Sequence, residues 1–446
     1  MNAFGIDYGR TLSIVSLRDG KGPRARTRLV GDGFRASIPH ATSAPSSPPT
    51  LEDPLLWGSR ALEAKARGGA LRPEENLAGL WLERPGAMLF WQGMMQRLTA
   101  YVGRVKPLPS NGYDTIIALP SESIEDTSVQ LSDLCREAGF EGVTIVPSPH
   151  ALLCRWMMEV VVMPWGEGAQ TVASVSVGDD SISVCAYRVT MRGPNMPQIT
   201  ASSRCFSIPE CGSARWGHRL LQEVANRWRE MPEIGDEMAL RDAANEFGAR
   251  LSRARQDEQV EWDGPLAERM FENLRLSRRE CREWPEVGPL VQELPTLLHQ
   301  TAHAVNESGR LDLVLVGGVG AMWPFAAEVA ASEFRMWQSG FPLEDVARGA
   351  AFWPEVGESN LQMLPLDGSA YGSTLTPLSS LPDSEPDTFS SDEFVSAPLE
   401  MEDRIIVSTS FSDLPETGES TAQGFEDDAV EETEDEMPPS QRWRAN

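Results

Sequence analysis

An aspartate bracketed by glycines stands near the start of the chain, in Phe4-Gly5-Ile6-Asp7-Tyr8-Gly9-Arg10-Thr11, and an alternating apolar run then continues to Leu17. Gly5 and Gly9 permit close backbone approach, and successive N–H groups around Gly9 and Arg10 can form an anion nest suited to a phosphate. A carboxylate beside phosphates is tolerable only with a bridging cation, which makes Asp7 a candidate Mg2+ ligand. A second turn of this kind, Gly178-Asp179-Asp180-Ser181, separates two further apolar runs and offers Asp179 as another Mg2+ ligand. Val314-Leu315-Val316-Gly317-Gly318 reads as a buried strand ending in two glycines, where a base or ribose can lie directly on the backbone. Each feature taken alone also suits an ordinary tight turn with no ligand.

The elements that must hold these turns read as two α/β lobes. In the first, strands at Ala3–Ile6 and Leu12–Leu17 form a hairpin about Gly9, followed by a helical tract from about Ala87 to Val105. A buried strand at Thr115–Leu119, a helix at Ser128–Ala138 stopped by Gly139, and a strand at Val143–Val146 complete it. The second lobe repeats the opening with Val172–Val177, the turn at Gly178–Ser181 and Ile182–Val189. Helices follow at about Arg215–Glu230, Glu237–Arg255 and Glu293–Ser308, before the strand Leu313–Val316; Pro324 sits where it can open another helix.

Charge divides the chain unevenly. From Pro354 onward there are 22 acidic and 3 basic residues, a net of −19 within a total of −27. That segment is rich in Ser, Pro, Asp and Glu and has no sustained helical or strand period, so an acidic disordered tail is expected over residues 354–446. Two apolar islands within it, one from Phe394 and one at the terminal Gln441-Arg442-Trp443, are suited to linear docking of protein partners. Nucleic-acid binding is not expected from this acidic balance, because it requires clustered Lys and Arg. The six cysteines, Cys135, Cys154, Cys185, Cys205, Cys211 and Cys281, include no CxxC pair, so the spacing suggests neither a zinc site nor a disulfide framework. No charged-then-apolar leader and no sufficiently long apolar stretch is read, and a cytoplasmic protein without membrane insertion is expected.

Six segments in order resemble the seventy-kilodalton heat-shock chaperone family of the actin-like ATPase superfamily. GIDYGRTLS resembles its first phosphate loop, YDTIIALPSE from Tyr113 its strand ending in proline, and LSDLCREAGFEGVTIVPSPHALL from Leu131 the lead into its first connecting helix. CGSARWGHRLLQEV from Cys211, LDLVLVGGVGAMWPFAAEV from Leu311 and FPLEDVARGAAF from Phe341 resemble, in turn, its glycine-acid-helix segment, adenosine loop and closing helix. The resemblance covers most of Met1 to about Trp353. It implies a two-lobed actin-like ATPase fold of duplicated ribonuclease-H-like domains, with lobes at residues 1–171 and 172–353, the tail after them and no substrate-binding domain. It further implies ATP or ADP with Mg2+ as cofactors, held by Gly5, Asp7, Gly9, Arg10, Thr11, Gly178, Gly212, Gly317 and Gly318. Glu246, Arg250 and Ser252 resemble the helix that covers the adenine, and Asp7 is the candidate catalytic residue.

The catalytic side departs from that family. Leu62 stands where that family has a lysine after Gly-Asp-Ala-Ala, with Arg60 and Lys65 nearby; Ser148 replaces a carboxylate before Pro149, and Ser176 replaces the water-positioning aspartate. Two glycines of the second phosphate loop have become Asp179 and Asp180, and Gly212-Ser213 replaces a double glycine. Two like charges about 4 Å apart repel by roughly 4 kcal/mol at an effective dielectric near 20, so an aspartate facing the phosphates opposes ATP unless a cation bridges them. The expectation is a weak or inactive ATPase that acts as a nucleotide-sensing adaptor or scaffold. An active ATPase chaperone or co-chaperone whose substrate-binding part comes from a partner is the alternative, and an actin-like filament former is a third. His150 is read as packed between the lobes in preference to a general base, and Trp81, Trp91, Trp216 and Trp228 as core residues.

Overall fold

The computed structural model describes residues 3–9, 12–20, 25–30, 37–39, 42–43, 56–57, 86–105, 113–140, 142–160, 169–191, 197–202, 205–227, 237–264 and 273–363. All of them belong to one compact unit, Met1–Ser408. The expectations for Arg10, Thr11, Arg60, Leu62, Lys65, Trp81, Trp228 and the segment after Met363 lie outside the described residues.

The first lobe opens with β1 (Ala3–Tyr8), β2 (Leu12–Asp19), β3 (Arg26–Leu29) and β4 (Ser37–Pro39), beside a two-stranded pair, β5 (Thr42–Ser43) and β6 (Leu56–Trp57). Helix α1 (Gly86–Val105), β7 (Asp114–Leu119), α2 (Ile124–Glu137) and β8 (Val143–Pro147) follow. The sheet order is β3-β2-β1-β7-β8, with β4 also paired to β2; β1 runs antiparallel to β2 and parallel to β7. Alternation along β1 sorts its side chains, because Phe4, Ile6 and Tyr8 enter a core with Phe90, Trp91 and Leu131, while Gly5 and Asp7 occupy the other face.

Helix α3 (Ser148–Val160) leads to the second lobe: β9 (Ala169–Val177), β10 (Ile182–Met191), β11 (Pro197–Ala201), β12 (Phe206–Ile208), α4 (Ser213–Asn226) and α5 (Glu237–Arg253). A small pair, β13 (Val260–Glu261) and β14 (Arg275–Leu276), precedes α6 (Arg278–Arg282), α7 (Gly288–Val305), β15 (Leu313–Gly317), α8 (Phe325–Glu333), β16 (Met336–Trp337), α9 (Asp345–Asn360) and β17 (Leu361–Met363). This sheet runs β16-β15-β9-β10-β11-β17, with β12 also paired to β10. In each lobe the first three strands are antiparallel neighbours, and the fourth and fifth join parallel beyond the first. The protein is therefore an α/β structure with two mixed sheets of the same local topology.

Helices α3 and α9 lie between the sheets. They pack with Ile116 and Ala118 of the first sheet and with Tyr187, Val189 and Leu315 of the second in one continuous core. Gly349 of α9 sits directly on the Ala151 backbone of α3, an approach that leaves no room for a side chain. The outer face of the second sheet carries a separate core in which Val175, Val177 and Val184 meet Trp216, Leu290 and Trp323. Trp91 and Trp216 are fully buried, as their helical positions predict.

Several boundaries differ from those read in the sequence. Residues Ser121–Ser123 form a 3-10 turn that runs straight into α2, which moves that helix's start back from Ser128 to Ile124. Helix α9 does not stop at Trp353 but continues through Pro354 to Asn360, and β17 then pairs with β11. A proline removes one helical N–H, yet α9 is held from both sides: Phe352, Trp353 and Val356 pack in the core between the sheets. The folded region thus extends to Met363, past the expected tail boundary. Among the described residues, no helix is long and apolar enough to cross a membrane.

Candidate functional site

The two hairpin turns meet, with Asp179 of the second lying against Gly9 of the first. Each closes with the same bond, from Gly9 N to Leu12 O (3.1 Å) and from Gly178 N to Ser181 O (2.8 Å). Asp7 pairs with Ile14 across its hairpin, and Ser176 with Ser183 across the second, so Ser176 is the positional counterpart of Asp7. Asp179 reaches back across the gap: a methyl group placed on Gly9 would meet its Oδ1 at 3.1 Å. Asp7 and Asp179 are both buried, at 9% and 2% exposure. Burial, and secondarily the charge of Asp179, raises the Asp7 carboxyl from 3.8 to about 7.

The second turn is braced from beneath. Ser213 N and Ala214 N, at the start of α4, donate to the carbonyls of Gly178 (3.2 Å) and Asp179 (2.8 Å), and Cys211 N donates to Asp180 O (2.9 Å). The N–H groups that a helix start would otherwise offer to an anion are here spent on the turn itself. Gly212 has the same purpose, since a Cβ there would meet the Asp179 carbonyl carbon at 2.7 Å. Arg215 lies 3.6 Å from Asp180 Oδ1.

The remaining candidate glycines also have protein neighbours. A side chain on Gly5 would run into Ala347 O and Ala351 N of α9, so this position admits a helix to the sheet. Gly317 packs on Leu152 and Asp345, while Gly318, at φ +102°, lies against the Val177 carbonyl and donates its N–H to Pro342 O at 2.8 Å. Of the residues resembling an adenine-covering helix, Glu246 is exposed and Arg250 forms a two-pronged bond with Asp263. Ser252 Oγ bonds Met322 O at 2.7 Å, and the Trp323 indole presses on Gly248, where a methyl group would meet it at 2.7 Å. Helix α5 and the loop after β15 are therefore in direct contact, with Trp323 wedged between them among Trp216, Phe247, Trp284 and Phe325.

A second polar cluster borders the core between the two sheets. His150, at the start of α3, is buried, and its Nδ1 is 3.0 Å from Tyr187 Oη on β10. Ligand-capable atoms of His150, Cys185 and Cys205 all fall within 4.8 Å of one another. Burial pushes the Cys185 thiol up, whereas its hydrogen bond to Cys205 holds that thiol well below the ordinary range, helped by His150 and Ser121. The one sequence signal pointing here was His150 after Pro149; residue spacing hid the cysteines because the three residues come from separate elements. Glu122 also crosses between lobes, with Oε2 3.5 Å from Ser183 Oγ, which accepts from Ser121 N at 2.9 Å.

No protein-family model matches the chain, and no curated protein matches its sequence.

Proposed function

We propose that the chain is a degenerate nucleotide-cleft module with the actin-like ATPase fold, similar to the nucleotide-binding part of the seventy-kilodalton heat-shock chaperones. It binds ATP or ADP weakly, turns it over slowly or not at all, and works as an adaptor or scaffold that recruits protein partners through lobe closure and its acidic C-terminal segment. The duplicated five-strand order and the paired helices α3 and α9 between the sheets support the fold. A cytoplasmic setting suits six cysteines that are all unpaired.

The observation that carries the reading is the meeting of the two turns, with the Asp179 carboxylate laid over Gly9 beside the buried Asp7. A phosphate entering there faces negative charge, and the helix-start N–H groups beneath are bonded to the turn carbonyls. Where the resemblance would set the adenine, Trp323 packs against Gly248. These residues do not fit a phosphate cradle. Phosphoryl transfer depends on positioned charge-neutralising groups, and Ser148 and Ser176 supply hydroxyls where carboxylates would orient a metal-bound water.

One feature favours a second reading, an active ATPase whose substrate-binding part comes from another polypeptide. Two buried carboxylates close enough to interact are suitable oxygen ligands for a hard divalent cation, so Asp7 and Asp179 would hold Mg2+ and offset the repulsion. Phosphate release from ATP by the full chain, with and without Mg2+, separates the two. Release no faster than that of the Asp7→Ala variant supports the scaffold. Mg2+-dependent release that Asp7→Ala abolishes supports the enzyme.

A further inference from the structure

We propose that His150, Cys185 and Cys205 form a binding site for a thiophilic divalent metal ion, of which Zn2+ is the representative, fastening the helix between the lobes to the second sheet. The ladder between β10 and β12 pairs Val184 with Phe206, and extending that register by one residue sets Cys185 opposite Cys205. Directly opposed residues of antiparallel strands have neighbouring side chains on one face. That face is the one toward α3, since Cys185 and Tyr187 both belong to the core between the sheets. His150 comes down onto it from the first turn of α3, completing the trio.

The donor set is chemically selective. Two thiolates and an imidazole suit Zn2+ and similar ions and are poor ligands for Mg2+ or Ca2+. In a tetrahedral site with metal–sulfur distances of about 2.3 Å, the ligand atoms are separated by about 3.8 Å. The present separations, all within 4.8 Å, require a contraction of about 1 Å at most for that geometry. The Ser121 hydroxyl oxygen is buried with no hydrogen-bond partner at ordinary distance, yet it lies near enough to Cys205 to favour its thiolate. Cys205 is the only one of the three that is partly exposed, and the Tyr187 hydroxyl on Nδ1 fixes the His150 ring.

Such an ion would join three stretches of chain, α3, β10 and the segment before β12. Because α3 also carries Gly349 of α9 on its Ala151 backbone, loading the site would resist relative movement of the lobes. The site does not depend on whether nucleotide binds, so its test stands apart from that of the cleft.

The full chain, reduced with a phosphine and freed of metal by chelation, is titrated with Co2+ and then with Zn2+. The expected result is one equivalent of Co2+ with a thiolate-to-cobalt absorption band, displaced by Zn2+, and a Zn2+-dependent rise in melting temperature. Cys205→Ala, at the partly exposed position, should weaken Zn2+ binding at least a hundredfold and remove the thermal rise, whereas Cys281→Ala, in the other core of the second lobe, should retain both. Circular dichroism of each variant shows whether it is folded. A folded wild type that takes up no Co2+, uptake that persists in Cys205→Ala, or a Cys185–Cys205 disulfide that survives the phosphine would overturn the proposal.

Discussion

Replacing Asp7 by asparagine removes an ionisable group from the point where the hairpin turns meet, with little change in shape. In the unfolded chain this carboxyl titrates near 3.8; in the folded protein burial and Asp179 raise it to about 7. Between those values the folded state holds a proton that the unfolded state has released, so stability falls as pH rises through the window and levels off above about 7. The shift is about three pH units, worth roughly 4 kcal/mol at about 1.4 kcal/mol each. Relaxation around a paired carboxyl reduces this, and Asp7→Asn is expected to be more stable than wild type by about 2–4 kcal/mol at pH 8, and by little at pH 4. The assay is chemical denaturation of both proteins across that range, taking the difference at each pH so that other titrating groups cancel. A difference that does not change with pH, or a variant less stable than wild type at pH 8, would refute the electrostatic account of the cleft.

Three further substitutions probe the packing of α9 against the first sheet. Arg18 of β2 is completely buried, paired with Glu355 of α9 and stacked 4.7 Å from the Phe352 ring centroid, and its pKa is lowered by burial to about 10. Glu355→Ala strands that charge and should cost about 3 kcal/mol in denaturation, with much of the loss recovered when Arg18→Met is added. Gly5→Ala should destabilise by about 1–3 kcal/mol or more through collision with α9; a Gly5→Ala protein with unchanged stability would remove the packing explanation for this glycine.

The hairpins were legible because they combine period-two apolar runs with glycine turns, both local signals. That pattern located Gly178 and Asp179 at the second turn, while Asp7, read as following a strand that ended at Ile6, lies inside β1 and pairs with Ile14. What spacing could not reveal is who occupies the room a glycine leaves. Gly5 and Gly317 read as openings for a ligand, yet α9 fills the first and Leu152 with Asp345 packs on the second. Trp323 has no local signal for its role, and only the fold places it over Gly248 of α5. His150, Cys185 and Cys205 follow the same logic, because a strand register and a crossing helix join residues with no motif in common. The extent of α9 was hidden by Pro354, a local breaker overruled by burial on both sides of the helix.

Isothermal titration of the full chain with ATP and ADP, with and without Mg2+, beside an Asp179→Ala variant, tests the central claim most directly. Two charges about 4 Å apart in a medium of effective dielectric near 20 repel by roughly 4 kcal/mol, equivalent to about three decades of affinity. The account predicts weak or undetectable binding to wild type and a gain of two to three decades in Asp179→Ala, within that estimate of about 4 kcal/mol. Tight, Mg2+-dependent binding to wild type that Asp179→Ala abolishes would contradict it and identify the carboxylate pair as the metal site of a working nucleotide cleft.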